Sequence, residues 1–518
     1  KILETHDLEI SAANRQLVLP DFPRRNPLVM IRQILLSLFI FIVVPVFAEA
    51  PRPNIVLVMS DDQGWGQTSY NGHPHLKTPN LDAMAENGLR FNRFYAAAST
   101  CTPTRASVMT GRLPGRTGAG GIGAPLNSQE KTIAQALKKA GYRTAHFGKW
   151  HLNGVSGNGM PVLEEDRLHP GSFGFDTWLS VTNYFDLDPL MGRNGETEWI
   201  EGESSEIIVS EALKFVAEQP KERFFAVIWY GSPHFPFQAS DEDVAPFLAQ
   251  GLEGKHADQL GEIVALDRSV GMLRQGLRDL GVAEDTLIWF CGDNGGLKED
   301  PDSVGILQGH KGSLYEGGIR VPGIIEWPAA VEPAITDFPA STMDIMPTLV
   351  DLLELPNDSQ LGVVDGESIR QLLNGEEPKR THGIPFLAKG SALIQGKYKL
   401  RNLGIERNPE WGLYDLEADP EEAANVVAKY PERVSQMVAE LEEFKGSMEE
   451  SKLGKDYPEG KIVGVESGGK AFWSELPEYQ KRYDTFEKLK PGWQRPTPRA
   501  EKLKAREERK RKKTEEQK

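Results

Sequence analysis

Asn54–Ser60 reads NIVLVMS and runs straight into Asp61-Asp62-Gln63-Gly64. A strand with one wet face alternates apolar and polar residues. A near-continuous apolar run is what a strand buried on both faces requires, as in a parallel sheet covered by helices. The two acids come where such a strand must end. Ligands of open α/β sheets bind outside the carboxyl ends of the strands.

The same texture repeats outward from this run. Thr78-Pro79 opens a helix through Asn87, closed at Gly88, with Thr78 as N-cap and Pro79 as first helical residue. Residues 89–97 are strand-like. Residues 132–140 (TIAQALKKA) form a helix stopped at Gly141, and a strand follows over 144–147. Residues 224–230 (FFAVIWY) and 286–291 (TLIWFC) are further buried strands, and 256–280 and 342–353 are amphipathic helices. This alternation predicts an α/β fold, a large and mostly parallel mixed sheet sandwiched by helices. We place that domain at 51–380. Beyond it, 394–403 and 411–416 are expected to pair antiparallel, and 432–450 to form a charged helix. They make a smaller α+β subdomain at 381–490. Residues 491–518 end in KAREERKRKKTEEQK and read as a solvated, disordered tail, with binding to an anionic polysaccharide as the sharper alternative.

The N-terminal region carries an export pattern. Residues 34–48 (ILLSLFIFIVVPVFA) have no charge, Arg32 precedes them, and Ala48-Glu49-Ala50 follows as a cleavage site. At fifteen residues the run is shorter than the roughly 20 a membrane span needs. Residues 30–50 are therefore read as a signal peptide, cut after Ala50, with an uncleaved anchor as the alternative. Met30 is the expected start, and residues 1–29 an upstream translation artefact. The protein is expected to be periplasmic or extracellular, without stable membrane insertion.

The chain has 518 residues, a net charge of −16 and 26% charged residues, an ordinary globular composition that disfavours nucleic acid as a partner. Its two cysteines, Cys101 and Cys291, make no disulfide framework.

Four clusters fall at expected strand ends. Asp61-Asp62 needs neutralising, which a hard divalent cation does. Alone, DDQG reads better as a solvated turn. Asp293-Asn294, in DNGG after TLIWFC, completes an oxygen-rich shell suited to Ca2+ or Mg2+ rather than Zn2+. Cys101 begins CTPTR, where Pro103 suits a first helical turn, and the helix N-terminus with Arg105 favours an anion. A buried structural cysteine is the bland alternative. Lys149 and His151 (GKWH), His234 (SPHFPF) and Lys311 (GHKGS) occupy loops after strands or turn-rich segments, where they can converge on one anion. Cys291 reads as core, and His73 and His75 as a surface loop.

Taken together these segments resemble the type I, formylglycine-dependent sulfatases of the alkaline phosphatase superfamily, the arylsulfatase-like group. CTPTRASVMTGR fits the C-x-P-x-R…TGR signature and GYRTAHFGKWHL the second signature. DDQGWG, TPNLDAMAENG, SPHFPF, GDNGG, KGSLYEGGIRVP and LYDLEADPEEAANV follow the family's order across residues 53–426. The resemblance implies an alkaline phosphatase-like fold and a sulfuric ester hydrolase. A maturation enzyme would convert Cys101 to Cα-formylglycine, whose hydrate attacks sulfur and later expels sulfate. Asp61, Asp62, Asp293, Asn294 and the modified Cys101 would hold one Ca2+. Arg105 and Lys149 would polarise the diol. His151 would be the base that regenerates the aldehyde. Lys149, His234 and Lys311 would grip the sulfate, and His234 could protonate the leaving alcohol. The substrate would be a sulfated sugar or an aryl sulfate. We expect exo-type action on a terminal sugar, with Trp178, Tyr184 and Trp199 available for stacking, and with loops near 153–203 and 297–310 and the C-terminal subdomain setting specificity. A phosphate or phosphonate ester hydrolase of the same superfamily is the enzymatic alternative, separable by comparing sulfate and phosphate esters of one alcohol. A non-catalytic sulfated-glycan-binding protein is the other, and requires Cys101 to remain a thiol.

Overall fold

The computed structural model describes residues 52–388, 390–463 and 470–496. The expected signal segment, the residues before it and residues 497–518 of the basic tail lie outside the described residues.

Asn54–Ser60 is a strand with every residue buried. Its side chains alternate between two cores. Ile55, Leu57 and Met59 join one, with the helices at Cys101–Thr110, Ile133–Lys139 and Ile345–Leu352. Val56 and Val58 join the other, with the helices at Pro79–Glu86, Ser204–Glu218 and Gly254–Asp279. A period of two on a strand sandwiched by helices leaves no wet face, which is why the run contains no polar residue before Ser60 beyond Asn54.

The strand lies near the middle of an 11-stranded sheet. Five central strands run parallel in the order Thr286–Gly292, Asn54–Ser60, Phe224–Trp229, Arg143–Lys149 and Thr177–Val181. Leu57 is in register with Trp289 on one side and Val227 on the other. Arg320–Glu326 adds antiparallel beside Thr286–Gly292, and Leu89–Tyr95 antiparallel beside that, so the latter points the same way as the centre. The hairpin Leu190–Arg193 and Glu196–Trp199 closes the far edge. The mixed, mostly parallel sheet with helices on both faces is as expected.

The C-terminal part departs in detail. Residues expected as one strand over 394–403 form two, Ala392–Gln395 and Tyr398–Asn402, because Gly396, at φ 57°, turns the chain through a two-residue hairpin. With Ile384–Phe386 and Trp411–Asp415 they make a four-stranded antiparallel sheet, backed by the helix Pro431–Lys452. Ile384, Phe386, Ile394 and Tyr414 share a core with Tyr95, Leu113, Ile319 and Met343 of the large sheet's side.

Candidate active site

Four neighbouring parallel strands deliver the site from their carboxyl ends. Asp61 and Asp62 follow Asn54–Ser60, and Asp293 and Asn294 follow Thr286–Gly292. His234 lies after Phe224–Trp229. Lys149 ends Arg143–Lys149 as its last strand residue, rather than lying in a loop, and His151 follows it. The strand Leu89–Tyr95 feeds the helix Cys101–Thr110, whose first residue is Cys101 and whose ten residues are all buried. That places Cys101 and Arg105 at the positive end of the helix dipole.

The ten residues singled out in the sequence converge. Ligand atoms of Asp61, Cys101 and Asp293 lie within 4.8 Å of one another, as do those of Asp61, Asp62 and His234. Lys149 Nζ donates to Asp61 Oδ2 at 2.5 Å, and Lys311 Nζ to Asp62 Oδ1 and Oδ2 at 2.5 and 2.7 Å. Arg105 donates to Asp293 Oδ2 at 2.9 Å and to the Lys149 carbonyl at 3.2 Å, and its guanidinium lies 5.1 Å from the Trp229 ring centre. The Asp62 amide donates to Asp293 Oδ1 at 3.0 Å, and Asn294 Nδ2 to Asp62 Oδ1 at 2.8 Å.

Local backbone supports this packing. Asp62 and His151 adopt positive φ, 69° and 57°, a conformation uncommon for non-glycine residues though more accessible to Asp and His than to most. Gly295 comes so close to Gly317 that a Cβ there would sit 1.9 Å from the Gly317 carbonyl oxygen. The DNGG turn therefore needs glycine to bring Asp293 and Asn294 into place.

The electrostatics fit a divalent cation. Burial and the Asp61 charge push the Asp293 carboxyl up, against the pull of Arg105. Burial also works against ionising Asp61, yet Lys149, His234, Arg105 and Lys311 together hold it below the usual carboxylate range. Asp61 Oδ1 and Asn294 Oδ1 are buried and accept no hydrogen bond. Hard oxygen donors left unpartnered beside crowded carboxylates are the donor set that Ca2+ or Mg2+ takes.

Burial raises the Cys101 thiol. Burial, with Lys149 and Arg105 nearby, holds His151 well below the usual histidine range. A neutral His151 has a nitrogen free to take a proton, and both its ring nitrogens are buried without a partner. His234 is half-buried; its Nδ1 donates to the Phe235 carbonyl at 2.5 Å, so Nε2 faces the site, 3.7 Å from Asp62 Oδ2.

Other expectations meet mixed outcomes. Cys291 is buried in the core and, like Cys101, free. His73 is not on a surface loop: it is 5% exposed and hydrogen-bonds Asp300 at 3.0 Å. Trp178 is buried against His169, and Trp199 spends its indole N–H on the Asp188 carbonyl. Tyr184 does stack, on His234, with ring centres 4.7 Å apart. The Arg105–Trp229 contact had no sequence signal, because nothing local says which strand end meets the helix.

Comparison with known proteins gives this arrangement a family. The sulfatase family model matches residues 53–355, and the C-terminal model of N-sulphoglucosamine sulphohydrolase matches 309–448. The chain belongs to the sulfatase family and is a sulfuric ester hydrolase. Human arylsulfatase A is 32% identical over 405 residues, 68% of this chain and 75% of that protein. N-acetylgalactosamine-6-sulfatase of Canis lupus familiaris is 31% identical over 406 residues, 68% of this chain and 72% of that protein. The crystal structure of Ps i-CgsB in complex with k-i-k-neocarrahexaose superposes with a TM-score of 0.68 at 27% identity, over 76% of this chain and 92% of that one.

Proposed function

We propose that the protein releases inorganic sulfate from a sulfated sugar or aryl sulfate at a nucleophile made from Cys101. The observation that carries this reading is the clustering of Cys101 with Asp61 and Asp293 at a helix N-terminus. A formylglycine at position 101, installed by a maturation enzyme, supplies an aldehyde hydrate as nucleophile, and Ca2+ supplies positive charge beside it. Asp61, Asp62, Asp293 and Asn294 are the residues to hold that ion, with position 101 as a further ligand.

The remaining side chains bind the ester and move protons. Three carboxylates (Asp61, Asp62, Asp293) face three fixed cations (Arg105, Lys149, Lys311), so their charges cancel. A divalent ion makes the pocket net positive, as an anionic sulfate ester needs. Lys149, His234 and Lys311 grip sulfate oxygens and stabilise charge that grows on them. Arg105 and Lys149 polarise the nucleophile. His151 takes a proton at an unpartnered ring nitrogen, and His234, as the imidazolium with Nδ1–H held by the Phe235 carbonyl, gives its Nε2 proton to the leaving alcohol.

We also propose export of a cleaved precursor, a reading supported by the charge-free run at 34–48 and the Ala48-Glu49-Ala50 site that follows it. No helix among the described residues is long and apolar enough to cross a membrane. We propose residues 51–380 as the catalytic domain and 381–490 as the smaller subdomain, whose last stretch, from residue 470, packs back onto the catalytic domain.

Mass spectrometry of the Cys101 peptide from the native host tests the proposal. An aldehyde is expected, and an unmodified thiol throughout would remove the mechanism. In parallel, a sulfate ester should be hydrolysed in preference to the phosphate ester of the same alcohol.

A further inference from the structure

Both family matches end by residue 448, but the ordered chain continues. Residues 470–496 fold back onto the loops that follow Arg143–Lys149. Ala471–Phe472 pairs in parallel with Val155–Ser156. Tyr479 donates from its hydroxyl to Asp166 Oδ2 at 2.9 Å, and Arg482 to Glu165 Oε1 at 2.8 Å. Trp473, Tyr479 and Phe486 bury themselves against Val155, Met160, Leu163 and Leu190. The segment is therefore a fixed wall rather than a loose end.

Between this wall and residues 157–190 lies a cavity of about 450 Å³, within the range of small-molecule sites. It starts beside the active site, since Tyr184 lines it and stacks on His234, and Pro236 lines it two residues further on. Its walls offer aromatic faces from Tyr184, Trp473 and Trp493, and amides from Asn158, Gln238 and Gln494. Its ionisable lining is one acid and one base, Asp186 and Lys490. Aromatic faces with amides are the chemistry that recognises a pyranose ring, apolar on its C–H faces and polar around its edge. A second sulfate or carboxylate would need a surplus of cations, which the walls lack.

We propose that this cavity is a subsite for an uncharged sugar ring next to the sulfated one. The inference rests on the reading of the neighbouring site as a sulfated-saccharide hydrolase. The substrate is thus a glycan of at least two rings, and residues 470–496 set its specificity through Trp473, Trp493 and Gln494.

The test measures sulfate release by the full-length enzyme from chondroitin, heparan, carrageenan and fucoidan oligosaccharides. Each is set against its own sulfated monosaccharide, with 4-nitrophenyl sulfate as a reference. At least one oligosaccharide with an unsulfated neighbouring ring should exceed its monosaccharide about tenfold in kcat/KM, a difference of about 1.4 kcal/mol. W493A should cut the ratio of that oligosaccharide to 4-nitrophenyl sulfate by a similar factor. Q494A, at an exposed amide, should lower the same ratio and covers the case in which W493A does not fold. The subsite is overturned if 4-nitrophenyl sulfate is hydrolysed but no oligosaccharide outperforms its monosaccharide. It is equally overturned if both variants keep the ratio, or if a sulfated neighbouring ring is preferred. Failure of the wild type on every sulfate ester strikes instead at the Cys101 site.

Discussion

The guanidinium of Arg105 and the carboxylate of Asp293 meet at 2.9 Å with both side chains fully buried. One comes from one turn into the Cys101 helix, the other from a strand end 188 residues away. The pair ties the proposed nucleophile to the proposed metal shell. Breaking a buried pair from one side leaves an uncompensated charge, at a cost of about 3–5 kcal/mol. R105A should lose about that much unfolding free energy in denaturant titration, along with activity. A loss below about 1 kcal/mol would show that the pair does not hold the helix in place.

Ca2+ should stabilise the protein independently of turnover. Binding only to the folded state adds about 2.7 kcal/mol at a hundredfold excess over Kd. Calorimetry in EGTA should show a lower Tm than in Ca2+, and N294A should shrink the gap by removing an amide oxygen that no protein group partners. If neither Ca2+ nor Mg2+ moves the Tm, the cation site is wrong.

Cys101 should matter for chemistry far more than for folding. It is 2% exposed, and C101A removes one sulfur from the packed helix start, a cost of about 1 kcal/mol. Sulfate release should fall by at least about 10³-fold, as for other enzymes stripped of a nucleophile. Residual activity above a tenth of wild type would count against the assignment.

His151→Ala should separate the two products. If His151 acts after the alcohol has left, rapid-quench assays with 4-nitrophenyl sulfate should show an initial burst of about one phenol per enzyme. Steady turnover should then be slower by about 10²–10⁴-fold. Equal slowing of the first turnover would move His151 to an earlier step.

Glu130 should make stability depend on pH. Burial pushes its carboxyl up to about 7, against Arg112 and a hydrogen bond from Tyr457, with Asp456 and Asp365 nearby adding to the rise. Because the folded state holds this proton more tightly than the unfolded state, its contribution is full below about pH 4.5 and is lost as pH rises towards 7. The span corresponds to roughly 3 kcal/mol. Relative to wild type, E130Q should therefore gain unfolding free energy by up to that amount between pH 4.5 and 7.5. A pH-independent difference between the two would show that Glu130 is ionised throughout.

Several features were legible along the chain because they are local. A run as short and β-branched as NIVLVMS suits a strand covered on both sides, and an acid pair placed after it suits the binding end of a parallel sheet. The CTPTR segment likewise announced a helix start with an arginine one turn on. The Gly396 hairpin was lost because an apolar run with one interior glycine reads as continuous until its two halves pair. His73 reads as surface from sequence because a polar loop looks solvated unless its buried partner, Asp300, is known.

What the sequence by itself determined is the inventory of the site: the buried strands that lead to it, which side chains stand at their ends, and the signatures tying them to sulfatases. Only the tertiary structure decided that Asp62 and Asn294, 232 residues apart, share a hydrogen bond, and that residues 470–496 wall a cavity beside His234. The reason is physical. Periodicity records whether a face is buried, but which strand lies beside which follows from filling both faces of one sheet at once.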